Sequence, residues 1–580
     1  MKDFIKTTFA TVLGLIIFSV VAFLLSVFIF VGMVTSSDTE VKVKPDSVFH
    51  LVLDGELAER APDNPFSMFS SDLGGSTMGL DDVLSSIKKA KDDENIAGIY
   101  IEAGQLTASY ASLEEIRNAI SDFKDSGKFV VAYSDIYSQG LYYLASVADK
   151  VYMNPSGSLD WKGISAQTVF FKDLLDKVGV KMQIFKVGTY KSAVEPFMAM
   201  EMSDANREQV REYVGSVWAS MLGEVSEARN IPVDSLDALA DGGRLMVDAD
   251  YCVAAGMVDS LSYKNDMTEV LAAMLGLDED EEPEMLALSD MKNVKRAVPK
   301  DKSGNIVAVY YAGGDIVDDG ETGIVSVKMI DDIKKLRKDD DVKAVVLRVN
   351  SPGGSAFGSE QIWKEIADLK AEKPVVVSMG DYAASGGYYI SCNANYIFAQ
   401  SMTLTGSIGI FGMMPDGKAL ADRLGVAIET VNTNRYSDYG SVYRPMNDGE
   451  AALTQSSVAD GYDLFLKRCA AGRMMSVADI DKIAQGRVWT GTMAKEIGLV
   501  DEIGGLDDAV DKAVELAGIE SYTLLSYPGR KSVLDDFYSA FSYVKASPSL
   551  SLEGVVESFK DAYEGKVSLQ ARLPFYLELK

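Results

Sequence analysis

The sequence predicts an α/β protein made of two tandem repeats behind one N-terminal membrane helix, and three observations carry that reading. Residues 95–200 align with residues 341–446 without a gap, at a constant offset of 246. Each repeat alternates short β-branched runs with stretches whose apolar residues recur at helical spacing. Ahead of both lies an uncharged run, 9–34, longer than the roughly 20 residues that cross a bilayer.

In chain order, residues 1–8 form a short N-terminus in which Lys2 and Lys6 are opposed only by Asp3, so the positive-inside rule places it in the cytoplasm. The apolar run 9–34 exceeds the core of a secretory signal peptide, about 7 to 15 residues, and no small-x-small cleavage site follows it. It therefore predicts a retained anchor in the lipid bilayer. Residues 35–46 connect this anchor to the body. No other run is long and apolar enough to span, so the body is expected on the periplasmic or extracytoplasmic side, held near the membrane.

The first repeat is predicted over 47–285 and the second over 303–530. Identities at the 246 offset include Glu114/Glu360, Asp135/Asp381, Gly140/Gly386, Tyr142/Tyr388, Gly163/Gly409 and Tyr190/Tyr436. The likeness continues, with small deletions, to Gly256-Met-Val-Asp259 against Gly498-Leu-Val-Asp501. The acidic stretch 278–284 leads into a charged linker assigned to 286–302. In the second repeat, Val342–Val349 reads as a buried strand, followed by a Pro-Gly-Gly turn and a helix with Ile362, Ile366 and Leu369 on one face. Pro374–Ser378 is the next strand, and a second helix begins near Ser385. This βαβ order predicts a largely parallel sheet in each half. Residues 531–580 form a C-terminal tail to which the sequence assigns no role.

Composition removes several function classes. A formal charge of −30 leaves no broad basic face for phosphates, so nucleic acid is excluded as a partner. Cys252, Cys392 and Cys469 are too few and too far apart for a disulfide framework or a cysteine zinc site. The chain holds a single histidine, His50, in the strand-like stretch Ser47–Leu53. A Ser-His-Asp or Cys-His enzyme would have to use it, and its setting is that of a structural residue, so the acid-base catalyst is sought among Lys, Asp, Glu and Tyr.

In α/β domains sites form where strand ends enter helices. Two second-repeat loops fit, Asn350-Ser-Pro-Gly-Gly-Ser355 and Asp381-Tyr-Ala-Ala-Ser-Gly-Gly-Tyr388. The amides of Gly353 and Gly354 suit an oxyanion hole. Ser385 at a helix start sits where unpaired N–H groups and the helix dipole favour developing negative charge, with the Gly386 amide a further donor. A capping serine beside turn glycines would look the same. The repeat comparison separates the two readings. Ser385 corresponds to Gln139, and Pro352-Gly353-Gly354 to Leu106-Thr107-Ala108, so the first copy keeps the scaffold tyrosines but lacks hydroxyl and glycine turn. The reverse holds further on, where Lys191 corresponds to Ser437. One copy supplies a serine and the other a lysine, which could act as base if burial between the repeats brings it down from near 10.4.

At these residues the sequence resembles the signal peptide peptidase A (protease IV) family in its long tandem-repeat form. The motifs are Val187-Gly-Thr-Tyr-Lys-Ser-Ala-Val-Glu-Pro-Phe197, Asn350–Ser355, Ala383-Ala-Ser-Gly-Gly-Tyr388 and Leu404-Thr-Gly-Ser-Ile-Gly-Ile-Phe-Gly412. The resemblance implies two Clp protease/crotonase-like α/β domains after one transmembrane helix, Ser385 as nucleophile, Lys191 as general base and Ser407 as a residue that orients the lysine. It implies a membrane-anchored serine endopeptidase of the bacterial inner membrane that hydrolyses remnant signal peptides through an acyl-enzyme, with no metal or cofactor. A homo-oligomer, a tetramer by preference, is implied as well. Two rivals carry other chemistry. A crotonase-like acyl-CoA enzyme would use the same paired amides but would not explain the Ser/Lys exchange, and a non-catalytic membrane scaffold would explain Gln139 but not Ser385 with Lys191.

Overall fold

The computed structural model describes residues 40–61, 77–242, 246–278, 281–295, 301, 303–530 and 569–572, with isolated residues between 6 and 21. The run 9–34 read as a membrane helix lies largely outside the described residues, and among those described no helix is long and apolar enough to cross a membrane.

In the first repeat, β1 (Ser47–Ala58), β2 (Ile96–Thr107), β3 (Phe129–Tyr137) and β4 (Lys150–Leu159) lie side by side in parallel. Helix α1 (Tyr110–Lys124) joins β2 to β3, and α2 (Gln139–Ala145) follows β3. Each starts at a serine, Ser109 or Ser138, whose side chain accepts a backbone N–H of the first turn. Strand β5 (Lys181–Lys186) and the long helix α3 (Asp204–Arg229) then leave this sheet and reach the other repeat.

The second repeat contains β6 (Ile306–Gly313), β7 (Val342–Ser351), β8 (Gly353–Ser355), α4 (Ala356–Lys370), β9 (Val375–Ala384), α5 (Gly386–Ser391), β10 (Leu404–Gly406) and β11 (Phe411–Asp416). Its main sheet runs β6, β7, β9, β10, all parallel. Strand β7 is apolar almost throughout because both of its faces are covered. Val345, Leu347 and Val349 point into the core beneath α4 and α5, while Ala344 and Val346 meet a helix over 506–517 on the other side. Each fully buried aliphatic side chain contributes roughly 1.5–3 kcal/mol, which is why β-branched residues fill these positions.

Two stretches read as loops from sequence are ordered otherwise. Both glycines of the Pro-Gly-Gly stretch belong to the short strand β8, and β9 continues through Tyr382-Ala383-Ala384 to the residue before Ser385. Gly354 in particular is set by close approach, since its backbone runs directly against that of Ile316. The assigned linker 286–302 also begins too early. Met285–Ala287 pairs in parallel with β1, and a helix over Leu288–Asn293 buries Met291 on the first repeat. Its apolar residues at i and i+3 are masked in the sequence by charged neighbours.

The repeats interlock. Strand β5 pairs antiparallel with β11 over six residue pairs, from Phe411↔Lys186 to Asp416↔Lys181. Each core also takes a residue from the other half, Met402 in the first and Phe185 in the second. A buried ionic cluster crosses the same boundary. The Arg348 guanidinium, on β7, donates to Glu59 at 2.9 Å through Nε and to Glu115 on α1 at 2.6 Å through Nη2, and also to Ser378 Oγ at 2.9 Å. These two carboxylates hold Arg348 well above its ordinary pKa against the opposing effect of burial.

Candidate active site

Helix α5 is entered through Ser385, whose backbone is set by its neighbours. Its N–H donates to Gly406 O on β10 at 2.8 Å, and its φ of 54° lies in the left-handed region that non-glycine residues avoid. Such a conformation costs on the order of 1–3 kcal/mol and persists only where the surroundings impose it. The side chain caps no helical N–H, unlike Ser138 at the matching helix of the first repeat. The capping explanation for this serine therefore fails.

Lys191 follows β5 in a turn pinned from both sides. Tyr190 N–H donates to Gln485 O at 2.9 Å, and Gln209 on α3 donates to Tyr190 O at 3.0 Å and Ser192 Oγ at 2.7 Å. The lysine backbone is roofed by Gly486, where a Cβ would come within 2.6 Å of Lys191 Cα, and its methylene stem passes beside Gly409. Nζ reaches Ser385 Oγ at 2.8 Å, Ser407 Oγ at 3.0 Å and Ser407 O at 3.0 Å. All three residues are fully buried. Among the described residues no carboxylate compensates the lysine, and burial alone pushes its pKa well below the ordinary value.

The counterparts in the opposite repeats are satisfied elsewhere. Gln139 accepts from the Lys162 and Gly163 amides at 3.1 and 2.9 Å and donates to Tyr110 OH at 3.0 Å. Ser437 is exposed and donates to Asn434 O at 2.9 Å. His50 stacks on Tyr100 and lies 3.1 Å from Glu102, away from these residues.

Gly353 and Gly354 have φ of 100° and 157°, and the Gly353 amide donates to Ser351 Oγ at 3.2 Å. Gly386 opens α5 next to the nucleophile candidate. A Cβ on Gly354 would lie 2.1 Å from Ile316 O. Gly354→Ala is therefore expected to displace β8 and to cost about 1–3 kcal/mol in chemical denaturation, since both strain and a backbone clash oppose it. Gly127, with φ of 80° and open space around it, is the control for left-handed strain alone. Equal losses at the two glycines would show that the contact with Ile316 is not what holds β8.

Several residues of this site escape a reading of the sequence. Asn350 accepts from Tyr382 N–H at 3.1 Å and donates to Glu59 at 3.1 Å and Asp381 at 3.2 Å, so the strand before Ser385 is tied to the ionic cluster. Asp381 in turn accepts from Ser112 at 2.7 Å and from Ser109, both on the first repeat. The identity Asp135/Asp381 is visible as a repeat feature, but only the cross-repeat contact gives it meaning. Gln209 and the Gln485-Gly486 turn carry no signal beyond a glycine after a helix.

Comparison with known proteins agrees with the two-repeat layout. The profile of Peptidase family S49 matches residues 122–278 and again 367–520. Protease 4 of Haemophilus influenzae is 40% identical over 449 residues, covering 75% of this chain and 72% of the relative. Protease 4 of Salmonella typhi is 41% identical over 469 residues, covering 79% and 75%. The chloroplastic serine protease SPPA of Arabidopsis thaliana is 30% identical over 527 residues, covering 89% and 76%. Among solved structures, a mutant of ClpP1 from Listeria monocytogenes overlaps 36% of this chain and 95% of its own at 16% identity, with a TM-score of 0.24. That superposition is too loose to assign a fold.

Proposed function

The chain belongs to peptidase family S49 and is a serine peptidase, and we propose that it hydrolyses peptide bonds through a Ser385–Lys191 dyad formed between its two repeats. The observation that carries this reading is the 2.8 Å approach of Nζ to Ser385 Oγ, with no described acid sharing the lysine. A neutral amine has two N–H groups and one lone pair. The two oxygens of Ser407, each at 3.0 Å, take the N–H groups and leave the lone pair for the Ser385 hydroxyl. Ser407 is thus the orienting residue.

In the reaction Lys191 accepts the Ser385 proton as Oγ attacks the peptide carbonyl, and the tetrahedral oxyanion is met by the amides of Gly354 and Gly386, joined by that of Gly353 when its N–H turns from Ser351 Oγ to the oxyanion. Collapse expels the amine, which takes the proton from Lys191, and leaves an acyl-enzyme. Water, deprotonated by the same lysine, then releases the acid. The substrates we propose are remnant signal peptides and similar hydrophobic peptides, with the chain anchored by residues 9–34 in a bacterial inner membrane and its body on the periplasmic side.

We propose that the chain forms a homo-oligomer, a tetramer by preference, and the duplication supports the reading. Strands β5 and β11 pair within the chain, and their offset-related counterparts are residues 427–432 and 165–170. Neither counterpart forms a strand among the described residues, and both expose apolar side chains, Val431 at 98% and Val169 at 64%. A second copy repeating the β5–β11 contact through these segments would be heterologous and could close into a ring.

The test is covalent trapping. A fluorophosphonate or peptidyl electrophile should modify Ser385 alone, and the labelling rate should rise with pH through the depressed Lys191 value. Modification at Ser355 or Ser407 instead would overturn the dyad while leaving the peptidase assignment intact.

A further inference from the structure

Glu114 belongs to the identities shared by the two repeats, and the two copies use it differently. Glu360, its counterpart at the 246 offset, accepts from Tyr389 OH at 2.7 Å and from Arg468 Nε at 3.2 Å, inside its own repeat. Glu114, on α1, is buried and reaches out of its repeat. Its Oε1 accepts the Ser401 N–H at 2.9 Å and its Oε2 the Met402 N–H at 3.0 Å. These two amides open the segment 401–407, on which both members of the proposed dyad depend. Thr403 Oγ1 donates to Gly380 O and Thr405 Oγ1 to Ala383 O, each at 2.7 Å, which fastens the segment along β9. The helix Gly491–Glu496 donates to it as well, from Gly491 N–H to Thr403 O at 2.8 Å and from Thr492 N–H to Ser401 O at 3.1 Å. At its far end Gly406 O receives the Ser385 N–H, and the two oxygens of Ser407 receive Lys191 Nζ.

The contact requires the carboxylate. Ionised, it offers one oxygen to each amide; protonated, one oxygen carries the hydrogen and one of two buried amides loses its acceptor. Burial, and then the neighbouring Glu224 carboxylate, push Glu114 up to about 7 against the lowering effect of the two amides. Helix α3 faces it with Glu224, α2 with Tyr143 and α1 itself with Arg117. These three engage one another, since Glu224 accepts from Arg117 Nε at 3.1 Å and from Tyr143 OH at 2.6 Å. The folded value lies above the unfolded one of about 4.3, so between the two the folded chain holds the extra proton and stability falls as pH rises. Ionisation of Glu114 therefore works against the fold while it completes the contacts of the segment.

We propose that the Glu114 carboxylate is a positioning residue for peptide hydrolysis, contributed by the first repeat, which sets the 401–407 segment and through it the serine and the lysine of the dyad. The proposal rests on the Ser385–Lys191 reading. It makes activity depend on an ionisation that touches none of the reacting atoms. The segment is set above about pH 7 and slackens as pH falls below it.

The experiment compares the full-length chain with Glu114→Gln, which keeps the volume of glutamate but has one acceptor oxygen, and so resembles the protonated form at every pH. With a fluorogenic peptide, kcat of the variant is expected to lie about ten- to thirtyfold below the parent at about pH 8.5, with KM within about twofold, and the two chains to converge to within about twofold at about pH 5.5. Titration of Lys191 is common to both chains and cancels in the ratio. Ile120→Val, in the apolar core contact of the same helix, is the control for destabilisation alone and should keep one ratio to the parent at both pH values. Hydrogen exchange supplies a reading independent of catalysis. The peptide holding amides 401 and 402 should exchange at least about tenfold faster in Glu114→Gln than in the parent at about pH 8.5, and at a similar rate at about pH 5.5. An activity ratio that is the same at both pH values, or unchanged protection of these amides, would overturn the positioning role. Exchange as expected beside an active Ser385→Ala chain would instead count against the dyad alone.

Discussion

Ser385→Ala and Lys191→Ala are each expected to slow peptide hydrolysis by on the order of 10⁴ to 10⁶, and the double variant to be no slower than either single one, because groups that act as one unit are strongly non-additive. Both side chains are buried at the end of well-packed elements, and circular dichroism should remain that of the parent. Lys191→Arg should be equally inactive. A guanidinium stays protonated in proteins, so it keeps the charge but cannot accept the serine proton. The pH profile gives an independent reading. Activity should rise through the depressed lysine pKa as the amine becomes neutral. Stability should respond in the same region: with the folded value below the unfolded one near 10.4, the unfolded chain holds more protons between the two, so stability increases with pH across that window. Lys191→Met should abolish this increase. Substantial activity in Lys191→Arg, or a stability profile unchanged in Lys191→Met, would remove the lysine from the role of buried base.

The second large effect is expected at Arg348, which touches neither serine nor lysine of the dyad. Arg348→Met would leave Glu115, and behind it Glu59, without the cation that holds them in a protein interior. Breaking a buried pair from one side costs about 3–5 kcal/mol. The loss is expected to be larger at about pH 8 than at about pH 5. Burial already raises Glu59 above its ordinary value, against the lowering effect of Arg348, and loss of the guanidinium leaves only the raising effect, so the variant's folded state binds the extra proton and weakens as pH rises. Because Asn350 joins Glu59 to Tyr382 N–H and Asp381, hydrolysis should fall with stability. Urea denaturation at the two pH values measures the effect. A loss below about 1 kcal/mol, the same at both, would show that the cluster is solvated and contributes little.

How much of this is legible before the structure depends on the range of the interaction. The duplication, the buried run at 342–349, the helix carrying Ile362, Ile366 and Leu369, and the exchange of Ser385 for Gln139 are all patterns of local spacing or of one repeat laid on the other. They can be read from letters alone. Arg348 cannot, because a charge inside an apolar strand has meaning only when the carboxylates, more than 200 positions away in the chain, are known to meet it. The Asn350–Ser355 stretch misleads for a related reason. Its Pro-Gly-Gly has turn composition, and what makes Gly353–Ser355 a strand is pairing with Ile316–Val317 and with residues near the C-terminus. The left-handed backbone of Ser385 likewise has no sequence mark, since serine is not the residue that chemistry would choose for that conformation.

The β5–β11 pairing bears on how such a site can be kept over time. Lys191 and Ser385, the proposed base and nucleophile, sit on parts of one polymer, so their meeting is a first-order event whose effective concentration is fixed by the connecting chain and does not fall on dilution. Each half is then free to lose the group that the other supplies. On the proposed dyad, the glutamine at 139 and the exposed serine at 437 are what such division of labour would leave behind, and reversing it would take at least two changes at once, one in each half.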